Sequence, residues 1–571
     1  MDSISKTLAL LIIATGSLGA ACAGEAAPGN RSITAATLSA DLHVLAADEM
    51  RGRLVGTPEI SRAGDWIRTR FEQLGLEPAG TAGFDQPFDL VWFSLGEGNQ
   101  LTVAGPGFDG RPLQPGDGYY PLNVSASAAA AGPLAFAGFG IVEPRLAYDD
   151  YRTGNAAGKI VLVLEREPGV VDPASPFDGV VTAESSAAWR KALAAQEHGA
   201  AAILFVRDVH NRPDSGDYQA AMRATWPAEP RRIERFSLGV WMDRIHIPAA
   251  QLSAALAERL VAGSGHTLQE LAASAETTEG LGVIDLPGPT VSLTAQLVRH
   301  TTPGRNIIAK IEGMDPAMRD EAVIISAHYD HNGADGEEIF NGADDDGSGI
   351  VGLLSIAAAY ADAANSGRRP ERSVVFAAWD AEERGLLGAW YYTESPSYPL
   401  EQTAAVLNMD MIGRNEEVPA DGGGRFRGLE VQSAESNANA INILGRNYTA
   451  DLASAVEAAN ADYGLELKFR YDNNESNLLR RSDHWPFLQR GVPALWFHTG
   501  LHPDYHTAMD DADRIEYDKM ERIARLVHLT SWDLANAATR PAMNAPPVRP
   551  VGLMLAARVA GLLASARTGG R

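Results

Sequence analysis

The sequence predicts an α/β protein with a mixed, mostly parallel central sheet and a smaller, inserted β-rich unit. Three observations carry this prediction. Beyond residue 290, short apolar runs alternate with runs of helical periodicity, which is the pattern of strands joined by helices. Residues 134–206 contain a separate series of short apolar runs. Residues 285–289 between them are rich in turn formers, so we expect a boundary near residue 290.

Each predicted element follows from a local pattern. Thr57-Pro58 is typical of a helix start, and apolar residues recur at helical spacing from there until Gly75 ends the helix. Strands are predicted where apolar residues run together between turn formers, at residues 135–142, 159–164, 200–206, 322–327, 373–379, 404–409 and 494–497. Further helices are predicted at residues 186–198, 349–362 and 518–537.

Length and charge narrow the class of protein. At 571 residues the chain is longer than one ordinary domain, and 45% hydrophobic with 21% charged residues is an ordinary globular composition. The net charge is −25, from 48 basic and 73 acidic side chains. Such a charge repels phosphate backbones and anionic lipid surfaces, so the sequence predicts no nucleic-acid partner.

The N-terminus has the pattern of an export signal over residues 1–23, followed by a small, polar leader at 24–34. Lys6 precedes a short apolar core, and small residues surround Cys22. Two kinds of processing fit this segment, which are plain cleavage after Ala23 and lipid attachment at Cys22. Either predicts a periplasmic, secreted or lipid-anchored protein. Since Cys22 is the only cysteine, the mature chain has no disulfide and no thiolate ligand.

The C-terminal residues 541–571 form a Pro-rich and then apolar tail. Arg558 interrupts its apolar part, residues 551–564, which argues against a membrane span there.

Polar residues cluster at or just after the end of each predicted C-terminal strand. In open α/β sheets, ligands bind outside the carboxyl ends of the strands, so these clusters are expected to meet in one crevice. A single His or Asp at such a place is usually structural, but here imidazoles and at least three carboxylates come together without a thiolate, as in hydrolytic zinc centres. The clusters are residues 328–331, 380–383, 408–410 and 498–506, joined by the glycine-rich loop 341–349.

Five motifs occur in the order found in co-catalytic, dinuclear zinc aminopeptidases, and residues 35–540 resemble that group, metallopeptidase family twenty-eight. The motifs are His-x-Asp from His328, Gly-Ala-Asp-Asp-x-x-Ser-Gly from Gly342, Glu382-Glu383, Asp410-Met-Ile-Gly and Tyr505-His-Thr. The resemblance implies a three-layer α/β/α zinc-exopeptidase fold and two Zn²⁺ ions per chain.

The resemblance also implies which residues bind the two ions. His328 and Asp410 would hold one zinc, Glu383 and His506 the other, and Asp345 would bridge them, as the aspartate followed by x-Gly-Ser-Gly. Charge supports this set, because three carboxylates and one hydroxide balance two divalent cations while neutral imidazoles add nothing.

Three further roles follow from the resemblance. Glu382 would be the general base. It would take a proton from the water that becomes the metal-bridging hydroxide and pass that proton to the leaving amine. Tyr505 would donate to the developing oxyanion, or be a packed aromatic residue. Asp330 would orient His328 from behind, or cap a loop. Asp344 and Asp346 are expected to be solvated or capping.

Several polar residues of the same clusters receive no defined role. Asp483 and His484 lie in a segment, 481–487, that also resembles the family, and could support ligands, face the substrate or be structural. His331, His498 and His502 are left unassigned.

The middle of the chain resembles a protease-associated domain inserted in such peptidases. The resemblance rests on residues 138–141, 148–151, 158–161 and 198–203. The expected division is a signal peptide at 1–23, a leader at 24–34, the N-terminal part of the peptidase domain at 35–130, the protease-associated domain at 131–290, the catalytic domain at 291–540 and the tail at 541–571.

The leading functional hypothesis is an aminopeptidase that removes N-terminal residues from peptides. A glutaminyl-cyclase-like acyltransferase with one zinc is an alternative, and so is a carboxypeptidase, which needs a cationic pocket that Arg414 or the pair Arg480-Arg481 could form. A non-catalytic binding protein is a third, although no expected ligand or base is missing.

Overall fold

The structure is a computed structural model that describes residues 27–213 and 216–544. The expected signal peptide with Cys22, the first residues of the leader and residues 545–571 of the tail lie outside the described residues.

The described strands number 22, in chain order β1 Glu77–Pro78, β2 Asp85–Leu95, β3 Gln100–Gly105, β4 Phe108–Leu113, β5 Tyr119–Pro121, β6 Ala129–Phe136, β7 Val142–Glu143, β8 Tyr148–Asp149, β9 Ile160–Leu164, β10 Ala202–Val206, β11 Ser237–Leu238, β12 Ala249–Leu252, β13 Ile284–Thr294, β14 Leu297–Ile311, β15 Ala322–His328, β16 Ala334–Asp335, β17 Glu338–Ile339, β18 Ser373–Trp379, β19 Thr403–Met409, β20 Ala440–Leu444, β21 Glu466–Lys468 and β22 Ala494–His498. The α-helices are α1 Ala35–Leu45, α2 Pro58–Gln73, α3 Ala188–Glu197, α4 Tyr218–Thr225, α5 Gly239–Met242, α6 Ala254–Val261, α7 Leu268–Ser274, α8 Gly349–Asn365, α9 Leu387–Glu394, α10 Ala450–Ala459, α11 His484–Gln489 and α12 Tyr517–Asn536.

The first sheet has ten strands in the order β11-β2-β14-β18-β15-β19-β22-β20-β21, with β1 also paired to β14. Its centre, β18-β15-β19-β22, is parallel, and the pairs β14–β18 and β22–β20 are antiparallel. These four central strands are buried along their whole length, which explains their continuous apolar runs. The predicted mixed sheet is confirmed, but it is only partly parallel, because five of its nine described strand pairings are antiparallel and four are parallel.

Helices cover both faces of this sheet, which gives the predicted three layers. Alternate residues of β15 enter different cores, with Val323 and Ile325 in one and Ala322 and Ile324 in the other. Helices α1, α2, α8, α10 and α12 contribute to the first core, and α9 and α11 to the second. We call this part the main unit.

A second sheet of eight strands has the order β4-β3-β13-β6-β9-β10-β12-β5, and we call residues 100–294, which carry it together with β11 of the first sheet, the second unit. The strands β6, β9, β10 and β12 are mutually parallel. The sheet includes β3 to β5, so the boundary expected at residue 130 falls inside it. The turn formers at 285–289 lie in a bulge of β13, between Leu286 and Thr290. Gly and Pro are tolerated at such irregularities. Strand β13 therefore continues through residue 290, and no boundary falls there.

The prediction of a strand at residues 135–142 was wrong for the second half of that segment. Strand β6 ends at Phe136, and the chain then turns through Gly138 and Gly140, which have φ of 50° and 70°. The Asp150 carboxylate accepts hydrogen bonds from the backbone N–H groups of Phe139 and Ile141 within this turn. The second half of this apolar run therefore forms a buried turn, which the Asp150 carboxylate stabilises.

The second unit leaves and re-enters the main unit through two paired strands. Strands β2 and β14 are antiparallel over their full overlap, from Asp85 opposite Ile307 to Leu95 opposite Leu297. Its entry and exit points therefore lie side by side at one end of this ladder.

One described helical segment, Ala343–Asn365, is long and apolar enough to cross a membrane, but 78% of its apolar window is buried inside the protein. A core helix passes the same test, and α8 lies in the first core.

Candidate metal centre

The polar clusters predicted at the strand ends do meet at one edge of the first sheet. His328 is the last residue of β15, Asp410 follows β19 directly, and Glu382 and Glu383 follow β18 after a short turn. His506 lies on the loop after β22. The parallel register of β18, β15, β19 and β22 brings these side chains together.

Asp345 lies between two groups of candidate ligands. Its Oδ1 is 3.2 Å from His328 Nε2, and its Oδ2 is 2.9 Å from His506 Nε2. The Asp510 carboxylate fixes this loop by accepting the backbone N–H groups of Asp344 and Asp345. Because each oxygen of Asp345 faces a different imidazole, its geometry is that of a bridging carboxylate.

The first group surrounds His328 Nε2. Asp410 Oδ1 and Glu382 Oε2 each lie 3.7 Å from this nitrogen. All three side chains are buried.

The second group surrounds Glu383. Its Oε1 is 3.1 Å from His506 Nε2 and 2.7 Å from Nδ1 of His331, which also lies 3.8 Å from Asp345 Oδ2. Sequence reasoning gave His331 no role. The signal for it was its position three residues after His328 in the same cluster, and the structure places it against the candidate ligands, fully buried.

These residues fit two divalent cations. Two ligand atoms at about 2.1 Å from a tetrahedral zinc lie about 3.4 Å apart, close to the separations seen in both groups. His331 Nε2 is buried without a hydrogen-bond partner, and His328 Nε2 and His331 Nδ1 face carboxylate oxygens of other candidate ligands, an arrangement that an ion would complete. The donor set of imidazoles and carboxylates without thiolate is that of catalytic zinc.

The two adjacent glutamates have opposite electrostatic environments in the metal-free chain. Burial raises the pKa of Glu382 well above its usual value, and the charges of Asp410 and Asp483 act in the same direction. Burial also acts to raise the pKa of Glu383, but the positive charges of His506 and His331 hold it well below its usual value. Neighbouring carboxyls with separated pKa values are typical of sites that divide acid–base and ligand roles.

Asp345 and His506 stabilise each other's charged forms. Burial opposes the ionisation of Asp345, but hydrogen bonds from His328 and His506 hold its pKa well below the usual range. Burial lowers the pKa of His506, yet Glu383 and Asp345 raise it to about 10. A cation is therefore strongly favoured between these carboxylates.

Asp330 holds more than His328. Its carboxylate accepts the backbone N–H groups of Glu382 at 2.8 Å and Glu383 at 3.3 Å, and its Oδ1 lies 3.6 Å from His328 Nδ1. The hydrogen-bond partner of that nitrogen is the Asp330 carbonyl oxygen, at 3.2 Å. Asp330 thus links the turn that carries both glutamates to the end of β15.

Tyr505 is buried beside the site, and its ring stacks on His506 at 3.8 Å. Arg481 Nη2 donates a hydrogen bond of 2.9 Å to the Tyr505 hydroxyl. Sequence reasoning considered Arg481 only as part of a cationic pocket for a carboxypeptidase, not as part of the aminopeptidase site. Since the hydroxyl oxygen accepts from Arg481, its own proton remains available to another acceptor.

The remaining residues of the clusters fall into supporting positions. Ser482 donates to Asp410 Oδ2 at 2.5 Å, a contact that sequence reasoning missed. Asp346 accepts the N–H groups of His328 and Gly349, so it caps α8 and is buried instead of solvated. Asp344 is likewise buried, with its Oδ2 3.3 Å from His502 Nε2.

The three other residues without a defined role are also buried. Asp483 has no hydrogen-bond partner for either oxygen, and burial raises its pKa well above the usual value in spite of His328. His484 packs at 5.5 Å from Trp496, while His498 Nδ1 lies 3.1 Å from the Asp410 carbonyl oxygen. His498 and Asp483 are therefore close to the first group, and His484 is a packed core residue.

The metal centre opens on two spaces of different size. A cavity of about 30 Å³ is lined by Asp345, Glu382 and Asp410 together with the apolar residues Met411, Leu478, Trp496 and Leu501. A groove of about 500 Å³ shares Glu382, Glu383, Tyr505 and His506 with the centre and extends between the two units.

Comparison with known proteins places this region in a family. Residues 306–531 match the sequence profile of Peptidase family M28. This region is an M28 peptidase domain. All five expected ligands, with Glu382 and Tyr505, lie inside the M28 domain. The resemblance found in the motifs is therefore confirmed.

Curated relatives of the M28 domain are 28% identical to this chain. One is a "Probable zinc metalloprotease" of Pyricularia oryzae, aligned over 302 residues that cover 47% of this chain and 57% of the relative. Another is "Leucine aminopeptidase 2" of Trichophyton equinum, aligned over 260 residues that cover 45% of this chain and 42% of the relative. The chain spans about half the length of these relatives.

Solved structures similar to the chain include an aminopeptidase from Aneurinibacillus sp. strain AM-1, with 17% identity, a TM-score of 0.46 and coverage of 91% of this chain and 97% of that one. A zinc aminopeptidase from Bacillus subtilis has 17% identity, a TM-score of 0.40 and coverage of 88% and 95%. The glutaminyl cyclase of Porphyromonas gingivalis has 20% identity, a TM-score of 0.30 and coverage of 40% and 78%.

Proposed function

We propose that this chain is a zinc-dependent aminopeptidase that removes N-terminal residues from peptides with two zinc ions. The observation that carries the proposal is Asp345, whose two oxygens face two separate groups of imidazole and carboxylate ligands. The family of the M28 domain and the names of its curated relatives, a zinc metalloprotease and a leucine aminopeptidase, support it.

The geometry supports the ligand sets that the motif resemblance implies. His328 and Asp410 would hold one zinc, and Glu383 and His506 would hold the other, with Asp345 shared by both. His331 lies against Glu383 on the second side. When bound, such a pair of ions lowers the pKa of a shared water and polarises the scissile carbonyl.

Glu382 is the general base of this mechanism. It is buried beside the first group, at 3.7 Å from His328 Nε2, where Asp345 already supplies the third ligand. Its Oε2 faces the first group, where its carboxylate could take a proton from a water held between the two groups. The same carboxyl then delivers that proton to the leaving amine.

Tyr505 and Arg481 act on the carbonyl oxygen of the substrate. The Tyr505 hydroxyl accepts from Arg481 Nη2, which leaves its proton to be donated to the carbonyl oxygen as negative charge develops there. Arg481 also orients the phenol ring against His506. The pair therefore holds a hydrogen-bond donor in a fixed direction.

Exopeptidase action is supported by the unequal spaces on the two sides of the centre. The cavity of about 30 Å³ holds at most a small side chain, whereas the groove of about 500 Å³ accommodates several residues. The N-terminal residue therefore occupies the cavity, and the rest of the peptide lies in the groove.

The protein is proposed to act outside the cytoplasm, since residues 1–23 have the pattern of an export signal. The second unit is proposed to be a protease-associated domain, on the motif pattern of its sequence. It contributes Trp189, Phe236 and Trp241 to the wall of the groove.

A substrate panel with metal analysis tests the proposed function. Purified protein is expected to hold two zinc ions per chain and to cleave aminoacyl anilides but not N-acetylated peptides. One zinc or fewer after repletion would contradict the dinuclear site. Cleavage of N-acetylated peptides at their C-terminus would favour a carboxypeptidase, and cyclisation of glutaminyl peptides would favour an acyltransferase.

A further inference from the structure

The groove beside the metal centre is lined by three arginines and three glutamates. The arginines are Arg384, Arg480 and Arg481. Two of the glutamates, Glu382 and Glu383, belong to the metal centre, so Glu184 is the one carboxylate of the lining that lies outside the centre, against three guanidinium groups. The whole chain has a net charge of −25, so a cationic groove here is a local feature that a negatively charged ligand would recognise.

We propose that this groove selects substrates whose leaving portion carries a free carboxylate, bound by Arg480, so that the preferred substrates are dipeptides and other short peptides with an unblocked C-terminus or an acidic side chain. This inference rests on the proposed function, because it is the aminopeptidase direction that places the leaving portion in the groove.

Arg480 is the arginine best placed to bind such a group. Arg481 is engaged by the Tyr505 hydroxyl, and Arg384 Nη2 donates to Asn332 Oδ1 at 2.6 Å. Arg480 Nη1 donates to the Thr182 carbonyl oxygen at 2.5 Å, but its Nη2 is 3.5 Å from Glu184 Oε2, a long and weak contact. A guanidinium has five N–H donors, so most of those of Arg480 remain for a carboxylate.

Glu184 does not neutralise Arg480. The other oxygen of the Glu184 carboxylate is 3.3 Å from Arg190 Nε, so one carboxylate is shared between two guanidinium groups. A substrate carboxylate would supply the missing negative charge.

The second unit positions Arg480 and adds aromatic side chains to the wall of the groove around it. Thr182 and Glu184 belong to that unit, and Trp189, Phe236 and Trp241 from the same unit form an apolar wall. Trp189 and Trp241 stack at 4.4 Å, and Arg190 lies over Trp189 at the same distance. Because an apolar wall lowers the local dielectric constant, a charge-assisted hydrogen bond in the groove is stronger than one in water.

The test compares the same scissile bond with and without a carboxylate. Wild-type enzyme is expected to give a kcat/KM at least about tenfold higher for Ala-Ala than for Ala-Ala amide, the size of effect that one charge-assisted hydrogen bond gives. Ala-Glu amide against Ala-Gln amide then distinguishes a side-chain carboxylate from a C-terminal one. Arg480→Gln is expected to bring the favoured ratio close to one, and Arg480→Lys to keep part of it.

Arg446→Gln is the matched control. Arg446 is an exposed arginine paired with Glu457 at 3.1 Å and lines neither the cavity nor the groove. Its variant is expected to keep the wild-type ratio. Zinc content and the melting temperature are measured for every variant, so that a change in the ratio is read only from folded, metal-loaded enzyme.

The outcomes separate this inference from the proposed function. Equal kcat/KM values for acid and amide in the wild type, or an unchanged ratio in Arg480→Gln, overturn the carboxylate site and leave the aminopeptidase intact. Cleavage of N-acetyl-Ala-Ala at a rate equal to that of Ala-Ala overturns the aminopeptidase, whatever the ratio. No cleavage of any of these substrates by zinc-loaded enzyme overturns both.

Discussion

The two sheets of this protein share a design but differ at the ends of their strands. Each contains four neighbouring parallel strands, and acidic residues follow strands of this group in both, in the second unit after β9 and β10. In the second unit these carboxylates are satisfied from within. Both oxygens of Glu167 accept the Ala183 N–H, and Asp208 accepts N–H groups of His210 and Asn211.

In the main unit, polar atoms at the same position remain without partners. His331 Nε2 and both oxygens of Asp483 are buried and make no hydrogen bond within the described residues, and His328 Nε2 and His331 Nδ1 face carboxylate oxygens of other candidate ligands. Leaving one such group unpaired costs about 1–3 kcal/mol. Equal topology therefore does not mark a site, whereas imidazole and carboxylate atoms gathered at the strand ends without other partners do.

The largest expected effect is at Glu382. Glu382→Gln is expected to lower kcat by about 10²–10⁴-fold, because general base catalysis is lost, while both zinc ions stay bound. Metal analysis and steady-state kinetics measure the two quantities.

Glu167→Gln in the second unit is the matched control for Glu382. Burial raises the pKa of Glu167 to about 8, so its carboxyl is largely protonated at neutral pH and an amide resembles it. We expect wild-type kcat. If Glu382→Gln keeps full turnover, Glu382 is not the base and the contrast between the units fails.

Metal removal is expected to affect one unit only. Because ions that bind the folded state alone stabilise it by about 2.7 kcal/mol at a hundredfold excess over Kd, chelation should loosen the main unit around its ligands. Hydrogen exchange should speed up at residues 341–349 and at the end of β15, and stay unchanged in β9 and β10. Faster exchange in both units alike would contradict separate stabilisation.

Lys191 is expected to matter for stability and not for catalysis. Its ammonium group is fully buried in the second unit and donates to the carbonyl oxygens of Leu164 and Arg166. Lys191→Met leaves these acceptors unpaired and should cost about 1–3 kcal/mol of unfolding free energy. Denaturant unfolding measures this cost. A fall in kcat per zinc-loaded molecule would show that the second unit takes part in the chemistry.

The smallest expected effect concerns His528, a buried histidine of α12 far along the chain from the metal centre. Burial lowers its pKa to about 3, against 6.5 when unfolded. The unfolded state therefore binds a proton that the folded state does not, and stability falls as the pH drops below 6.5. The loss between pH 6 and 5 should be about 1 kcal/mol.

The variant His528→Gln should remove this part of the pH dependence. Urea unfolding at the two pH values measures it, with wild type as the reference. An equal loss of stability in both proteins would mean that His528 already binds its proton in the folded state.

The central strands could be predicted from sequence because they are buried on both faces. Residues 373–379 are β18 with both bounds as predicted, and β22 differs by one residue. The polar clusters followed from those strands, since Asp410 and Glu383 stand where the strands end, and the motif resemblance then singled out the candidate ligands within the clusters. Local apolar runs and strand ends are properties that a sequence records directly.

What failed depends on contacts between distant residues. The turn after Phe136 is stabilised by Asp150. Strand β13 continues across its bulge, although the sequence there contains Pro287 and Pro289. His331 looks like any loop histidine until the fold brings Glu383 to 2.7 Å. Arg481 and Tyr505 are 24 positions apart, so their pairing is invisible in either segment alone.

The pairing of Leu95 with Leu297 means that two hundred residues are attached at the tip of a single hairpin. Chain insertions are tolerated best where both ends emerge together at a surface, because the host keeps its own hydrogen bonds. A tight turn joining β2 to β14 would therefore keep the ladder between them, while removing β11 from the edge of the first sheet and the second unit's side chains from the second core. The same point is a natural graft site, at which other domains could be exchanged to remodel one wall of the groove while the chemistry stays in place.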